Sequence, residues 1–286
     1  MKEVVILSGK GGTGKTSIAG SFAALAKNKV LADCDVDAAD LHLLLNPSIK
    51  EKNEFWSGQV ALIDEEKCTQ CGLCQDLCRF DAIHDFKVDP VSCEGCGFCS
   101  HICPVDAITM EESLSGSWFI SDTKYGRLVH ARLGIAQENS GKLVALVRQQ
   151  ARQIAEGDGL DCIISDGPPG IGCPVISSLS GASLAVIVTE PTLSGMHDLD
   201  RIIGVCQHFS VSVIVCVNKY DINEDNTRHI ESYCLSRRIR VASKIPFDNV
   251  VTEALVRGLP VVEYSKNGVA RQIEALWQSI ASELRI

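Results

Sequence analysis

Short apolar runs separated by helix-length segments dominate the chain. Val4-Val5-Ile6-Leu7, Val30-Leu31-Ala32, Cys162-Ile163-Ile164-Ser165, Leu184 to Thr189, Val211 to Val217 and Ile239 to Ile245 each read as a strand buried on both faces. Trp118 to Ile120 and Leu128-Val129 are also strand-like. Between these runs, Lys15 to Lys27 turns Ile18, Phe22 and Leu25 to one side at helical spacing. Ala38 to Leu45 makes a short helix stopped by Asn46-Pro47, and Ser140 to Glu156 a longer one. Such alternation predicts an α/β fold: a mostly parallel sheet covered by helices on both faces. In the last segment, Val269 to Ile286, Ile273, Leu276, Ile280 and Leu284 share a face. The opposite face mixes Arg271, Glu274, Glu283 and Arg285 rather than being basic, so packing on the core is expected, not a membrane surface.

The pattern breaks once. From about Gln59 to Glu112 the chain loses long helical periodicity and becomes dense in cysteine. The expected organisation is therefore a discontinuous domain, residues 1–58 and 113–286, interrupted by an insert over 59–112. Within the insert, Cys68-x₂-Cys71-x₂-Cys74-x₃-Cys78 is followed 25 residues later by Cys93-x₂-Cys96-x₂-Cys99-x₃-Cys103-Pro104. The repeat extends past the thiols: Asp64 matches Asp89, Gly72 matches Gly97, and Asp81-Ala82-Ile83 matches Asp106-Ala107-Ile108.

Fourteen cysteines among 286 residues would mean disulfides in an oxidising compartment. Met1-Lys2-Glu3 and the strand-sized run after it lack the long apolar region and small-residue cleavage site of a secretory signal. Apolar runs such as Leu184 to Val188 are far short of a membrane span. A cytoplasmic protein is expected, and there metal ligation is the leading use of clustered thiols. Zinc sites of four cysteines are one option, although zinc favours separated C-x₂-C pairs. The tripled run with a fourth cysteine beyond it suits iron–sulfur clusters better. It resembles a bacterial-type ferredoxin with two [4Fe–4S] clusters, a small α+β fold, over about 50 residues. That resemblance implies one cluster on Cys68, Cys71, Cys74 and Cys103, and a second on Cys93, Cys96, Cys99 and Cys78. Arg79 stands where such ferredoxins usually carry proline. Its charge near the second cluster predicts a higher potential than in an Arg79→Ala variant.

The net charge of −9, with no block of lysine and arginine, argues against broad nucleic-acid binding and suits a partner with a basic face.

Directly after the first strand comes Gly9 to Thr16, GKGGTGKT. Gly9, Gly11 and Gly14 would also satisfy a dinucleotide fingerprint, with Asp33 and Asp35 at the ribose-binding distance. Lys15-Thr16 decides between the two: a dinucleotide-binding helix has no use for a lysine and a hydroxyl there, whereas a P-loop places them on the β/γ-phosphates and on Mg²⁺. Successive backbone N–H groups from Gly9, Gly11, Gly12, Thr13 and Gly14 would cradle the phosphates.

Lys10, the lysine after the first glycine, narrows the class. GKGGTGKT resembles the deviant Walker loop of the MinD/ParA family, whose relatives include Mrp-type cluster carriers and the nitrogenase iron protein. That resemblance implies an ATP/ADP-binding nucleotide-sandwich homodimer in which Lys10 reaches the phosphates of the other subunit. It further implies that DCDVDAADLH is switch I, with Asp35 orienting the attacking water and Asp33 in support. DGPPGIG is then switch II, with Asp166 on Mg²⁺ beside Thr16. Asn218-Lys219 resembles the base-binding motif, and Ile245-Pro246-Phe247-Asp248 the loop closing over adenine. Asp221, two residues after Lys219, is the position at which guanine-specific sites carry an aspartate, so ATP rests on the family match. The segments 130–144 and 166–176 resemble the subgroup of MinD-like ATPases with an inserted ferredoxin domain.

Cys173, seven residues after Asp166, matches the offset of a bridging-cluster cysteine in the nitrogenase iron protein. A bridge needs a second cysteine per subunit, and none lies between Gly116 and Leu160. A small buried thiol is the default. Cys162, Cys206, Cys216 and Cys234 read as core. The leading functional expectation is a Mg-ATP-dependent dimer that gates electron transfer from two clusters to a partner protein. A positioning ATPase with structural or sensory clusters, and a carrier that donates clusters, are the alternatives; the carrier lacks a C-terminal C-x₂-C pair.

Overall fold

The computed structural model describes residues 1–134 and 139–286. Residues 135–138, part of the segment 130–144 that resembles the ferredoxin-bearing subgroup, lie outside the described residues. Strands are β1 (Lys2–Ser8), β2 (Lys29–Asp33), β3 (Ser48–Ile63), β4 (Ile83–His84), β5 (Lys87–Val88), β6 (Ile108–Thr123), β7 (Gly126–Leu133), β8 (Cys162–Pro169), β9 (Leu184–Thr189), β10 (Ser212–Asn218) and β11 (Arg240–Ile245). Nine form one sheet in the order β11-β10-β9-β1-β8-β2-β7-β6-β3, and β4 and β5 form a separate antiparallel pair. From β11 to β7 each pairing is parallel. The expected α/β architecture is the one observed.

Its cause is visible in β1. Val4 and Ile6 join one apolar cluster, which includes Phe22, Trp277 and Ile280, while Val5 and Leu7 join another with Val175, Leu179 and Ile203. Successive side chains point to opposite faces, so a strand apolar at every position is stable only between two layers of helices. All four residues are fully buried. The C-terminal helix Gly268–Leu284 buries Ile273, Leu276 and Ile280 as expected for core packing. Cys162, Cys206, Cys216 and Cys234 are buried, again as core residues. Among the described residues no helix is long and apolar enough to cross a membrane.

The chain divides into two compact units: Met1–Lys52 with Trp118–Arg132 and Ser140–Ile286, and Asn53–Ser117 with Leu133–Asn139. The composition change at 59 and 112 marks only the cysteine-bearing part of the second. The difference lies in β3 and β6, 16 residues each, which run from one unit into the other. The apolar pattern predicts neither strand at that length. Most residues of β3 are exposed or half-buried, so its sequence (SIKEKNEFWSGQVALI) carries no long apolar run to betray it.

Candidate functional site

In the larger unit, the polar residues singled out in the sequence collect at the carboxyl ends of parallel strands: Lys15 and Thr16 after β1, Asp33 and Asp35 at β2, Asp166 in β8, Asn218 closing β10. This is where open α/β sheets bind ligands, because the loops there diverge and the following helices point their N-termini inward. Gly11, Gly12, Thr13, Gly14, Lys15, Thr16 and Asp35 line one cleft of about 450 Å³. Gly14 sets the turn into the helix Lys15–Leu25, with φ +89°, and a Cβ there would sit 2.4 Å from Asn218 Nδ2. Gly9 is needed for a close approach of another kind: its Cβ would lie 2.2 Å from Asp198 Cβ.

Lys15 is buried between two acids. Its Nζ donates to Asp166 Oδ1 at 2.7 Å and lies 3.5 Å from Asp35 Oδ2. Burial alone would pull its pKa down; the Asp166 and Asp35 charges outweigh that and leave it raised. Burial pushes Asp35 up to about 6, with Lys15 opposing and Asp166 reinforcing the shift. Asp33 is fully buried, and burial followed by the Asp166 charge holds it well above the usual carboxylate range. Its carboxylate accepts from Asp35 N and Leu41 N, both at 3.2 Å, so Asp33 shapes the loop that carries Asp35. Among the described residues six buried side-chain polar atoms lack a partner, and two belong to this site: Thr13 Oγ1 and Asp166 Oδ2. Unsatisfied oxygen beside a cationic, glycine-rich loop suits a phosphate and its metal ion.

The remaining sequence candidates are placed differently. Asn218 Nδ2 donates to Thr13 O at 2.8 Å and Lys219 Nζ to Gly12 O at 3.2 Å, so both brace the phosphate loop from behind. Pro246 lines a separate depression with Tyr220 and Lys244. Asp248 accepts from Val250 N and Asn267 Nδ2, both at 2.9 Å, within its own neighbourhood, and Asp221 accepts from Phe247 N at 2.7 Å. Cys173 begins the helix Cys173–Leu179 and is exposed, not the buried thiol expected by default. Cys34 is fully buried, and burial raises its thiol pKa.

Glu190, which no sequence motif marks, sits just beyond β9 and is ion-paired with both Lys10 and Lys219. Lys10 Nζ also lies near Thr192 Oγ1 (3.5 Å) and Ser194 Oγ (3.4 Å). An acid directly after the apolar run Leu184 to Thr189 is the one signal the sequence offers for it.

In the smaller unit the 25-residue repeat is written into the backbone. Gly72 and Gly97, at φ +82° and +72°, open the helices Leu73–Asp76 and Phe98–Ile102. Asp81 and Asp106 take positive φ in register. Ala82 N lies 3.4 Å from Cys78 Sγ, and Ala107 N lies 3.3 Å from Cys103 Sγ. The two halves cross: Asp64 N bonds Ala107 O and Asp89 N bonds Ala82 O, both at 2.8 Å. Crossing brings Cys78 to the same cavity as Cys93, Cys96 and Cys99; Cys74 lines it too. Cys74, with Cys68 and Cys71 near enough to affect its titration, packs in the apolar nucleus of Ala61, Ile83 and Ile108, against which Cys103 also rests. Burial, then the neighbouring thiols, raises Cys74 and Cys99. Among the described residues no three side chains of the His, Cys, Asp and Glu types converge into a closed metal-holding group.

A parallel sheet with a lysine-bearing glycine loop at its carboxyl edge defines a P-loop nucleotide-binding protein. Residues 4–261 match the family described as CbiA, the CobQ/CobB/MinD/ParA nucleotide binding domain, and the chain belongs to that family. An uncharacterized protein of Methanocaldococcus jannaschii, MJ0578, is 34% identical over 97% of this chain and 96% of its own. An iron-sulfur cluster carrier protein of Pyrococcus abyssi is 23% identical over 99% of this chain and 86% of its own. The septum site-determining protein MinD of Pyrococcus horikoshii, solved with Mg-ADP, shares the fold with a TM-score of 0.59 at 18% identity, over 98% of this chain and 95% of that one.

Proposed function

We propose that the protein is a Mg-ATP-dependent ATPase acting as a nucleotide-sandwich homodimer, and that its cysteine unit holds two [4Fe–4S] clusters whose electron exchange with a partner protein follows the nucleotide state. The observation that carries the cluster part is the crossed repeat, which brings Cys78 beside Cys93, Cys96 and Cys99. A fourth ligand contributed by the opposite half is what the bacterial ferredoxin spacing calls for. Two such clusters, when bound, each store and release one electron; the unit's own part is to supply eight thiolates, an apolar nucleus and N–H groups near Cys78 and Cys103 Sγ.

For the ATPase part, Lys15 would hold the β- and γ-phosphates once it leaves Asp166. Thr16 and Asp166, whose Oδ2 is unpaired, would hold Mg²⁺, which neutralises phosphate charge when bound. Asp35, 3.5 Å from Lys15, would orient the attacking water. Lys10 of the partner subunit would add the charge that an arginine finger supplies elsewhere.

Transfer of clusters to other proteins is the second reading, favoured by the likeness to the Pyrococcus abyssi carrier. Anaerobic EPR titration with no nucleotide, with ADP and with a non-hydrolysable ATP analogue separates the two. Nucleotide-dependent potential or spin coupling supports gating; unchanged spectra, with iron passing to an apo-ferredoxin, support carriage. Iron analysis tests both: about eight irons per chain fit two clusters, and about ten fit a third shared at Cys173.

A further inference from the structure

The charge of the chain is not shared between its units. Residues 53–117 contain 12 Asp and Glu against three Lys and Arg, namely Lys67, Arg79 and Lys87. The whole chain has 36 against 27, so the remaining residues contain 24 of each and are formally neutral. The entire net charge of −9 is carried by the cysteine-bearing segment.

The same unit keeps large apolar side chains in solvent. Leu77, Phe80 and Phe98 are 51%, 39% and 50% exposed and line the cavity shared by Cys78, Cys93, Cys96 and Cys99. Burial of a large apolar side chain is favourable, and several left half-exposed around one opening mark a surface that another molecule covers. Acids flank them. Glu94 is in the lining, Asp76 immediately precedes Leu77, and Asp81 follows Phe80 with its side chain 91% exposed. Arg79, the one cation among the described residues that line the cavity, lies over the Phe80 ring at 5.8 Å, leaving the rim negative.

Both halves of the repeat keep apolar side chains in solvent, Leu73 and Val105 being 44% and 39% exposed, but the aromatic rings fall on one side. Across the 25-residue offset, Phe80 is matched by Val105, Leu77 by Ile102 and Arg79 by Pro104. The aromatic rings are concentrated where the Cys78 set opens.

We propose that this rim is a docking surface for a protein with a basic face, whose apolar centre covers Phe80 and Phe98 while its lysines and arginines meet Asp76, Asp81 and Glu94. An apolar centre within a charged rim is the anatomy of transient protein interfaces, and the charge sets encounter and specificity. A surface of this sign repels nucleic acid and anionic membrane, which leaves a basic protein as the occupant. That the partner exchanges electrons rests on the cluster reading proposed for this unit; the surface itself does not.

The test uses the full chain, purified anaerobically and kept oxidised so that no electron passes, with cytochrome c as a lysine-rich probe. Calorimetric titration at about 20 mM and about 300 mM salt should show binding that screening removes. D76N/E94Q and F80S/F98S should each weaken it about tenfold, while E224Q/D225N, two exposed acids of the other unit, should change it less than about twofold. All these side chains are exposed, and circular dichroism confirms folding of each variant. Absence of binding at low salt, patch variants that bind like E224Q/D225N, or a charge effect with no effect of F80S/F98S would each overturn the proposal. Iron content of the same samples keeps the two readings apart. The binding pattern on an iron-free chain removes the cluster reading alone; about eight irons without the pattern removes the docking surface alone.

Discussion

Lys10 and Glu190, 180 residues apart in sequence, are ion-paired at 3.3 Å within one chain, and Glu190 also engages Lys219. The lysine that the family resemblance sends to a neighbouring subunit is therefore held at home. Release of Lys10 from Glu190 must precede or accompany any contact in trans. Lys10 is 36% exposed, so the pair is worth no more than about 1 kcal/mol. Glu190→Gln should lower the ATP concentration for dimerisation by about two- to fivefold, read by analytical ultracentrifugation. The effect should vanish in a Lys10→Ala background; persistence there would show that Glu190 acts through something else.

Lys15 is the only positive group touching both Asp35 and Asp166 in the described site. Lys15→Met removes the lysine proposed to hold the phosphates and leaves Asp35 and Asp166 without their shared cation. ATP hydrolysis should fall by about 10²-fold or more, since removal of one preorganised charge at a reacting phosphate costs at least that. Steady-state phosphate release compared with Lys27→Met, a lysine of the same unit away from the cleft, checks it.

The sheet is legible in the sequence because strands such as Val4 to Leu7 are apolar at every position, and only a sheet covered twice accepts that. The phosphate loop is legible because Lys15 and Thr16 leave one chemistry for the glycines. What escapes are features whose sequence has no period. β3 is polar along most of its length because both faces are largely in solvent. Glu190 is a single acid whose meaning lies in two lysines distant in sequence. Asn218 and Asp248 fall in segments that resemble base-binding motifs; the hydrogen bonds their side chains make to backbone and to Asn267 are set by tertiary packing, which spacing cannot report.

Glu3 anchors a buried ion network that no motif announces. Its carboxylate accepts from Arg148 Nε (2.6 Å) and Nη2 (2.7 Å), from Arg152 Nη2 (2.9 Å) and from Ser165 Oγ (3.2 Å). Glu3 and Arg148 are both nearly inaccessible. Glu3→Gln leaves the Arg148 cation without its counter-charge and should cost about 3–5 kcal/mol in urea unfolding. Glu3→Leu with Arg148→Met should recover most of that loss, because a buried pair replaced by apolar groups is near neutral. A double variant as unstable as the single one would mean that Arg152 and Ser165 set the cost.

His130 gives the larger unit a pH dependence of known sign. Its Nε2 lies 2.9 Å from Ser121 Oγ, and its ring stacks on Phe119 with centroids 5.0 Å apart and faces His42 at 6.4 Å. Burial, then the charges of His42 and Arg132, lower its pKa from 6.5 to about 4. The folded form thus refuses a proton that the unfolded chain takes up from about pH 6.5 downward. The stability from a neutral His130 is complete above pH 6.5, declines as pH falls towards 4, and declines no further from this group below that. Between those limits the loss should reach about 2–3 kcal/mol, in keeping with a ring that is almost wholly buried. His130→Gln keeps a polar group for Ser121 but cannot take the proton. The variant should be less stable than the parent at pH 7.5 and close the gap at pH about 4.5, seen as converging urea midpoints. A constant difference across that range would assign the acid sensitivity to other groups.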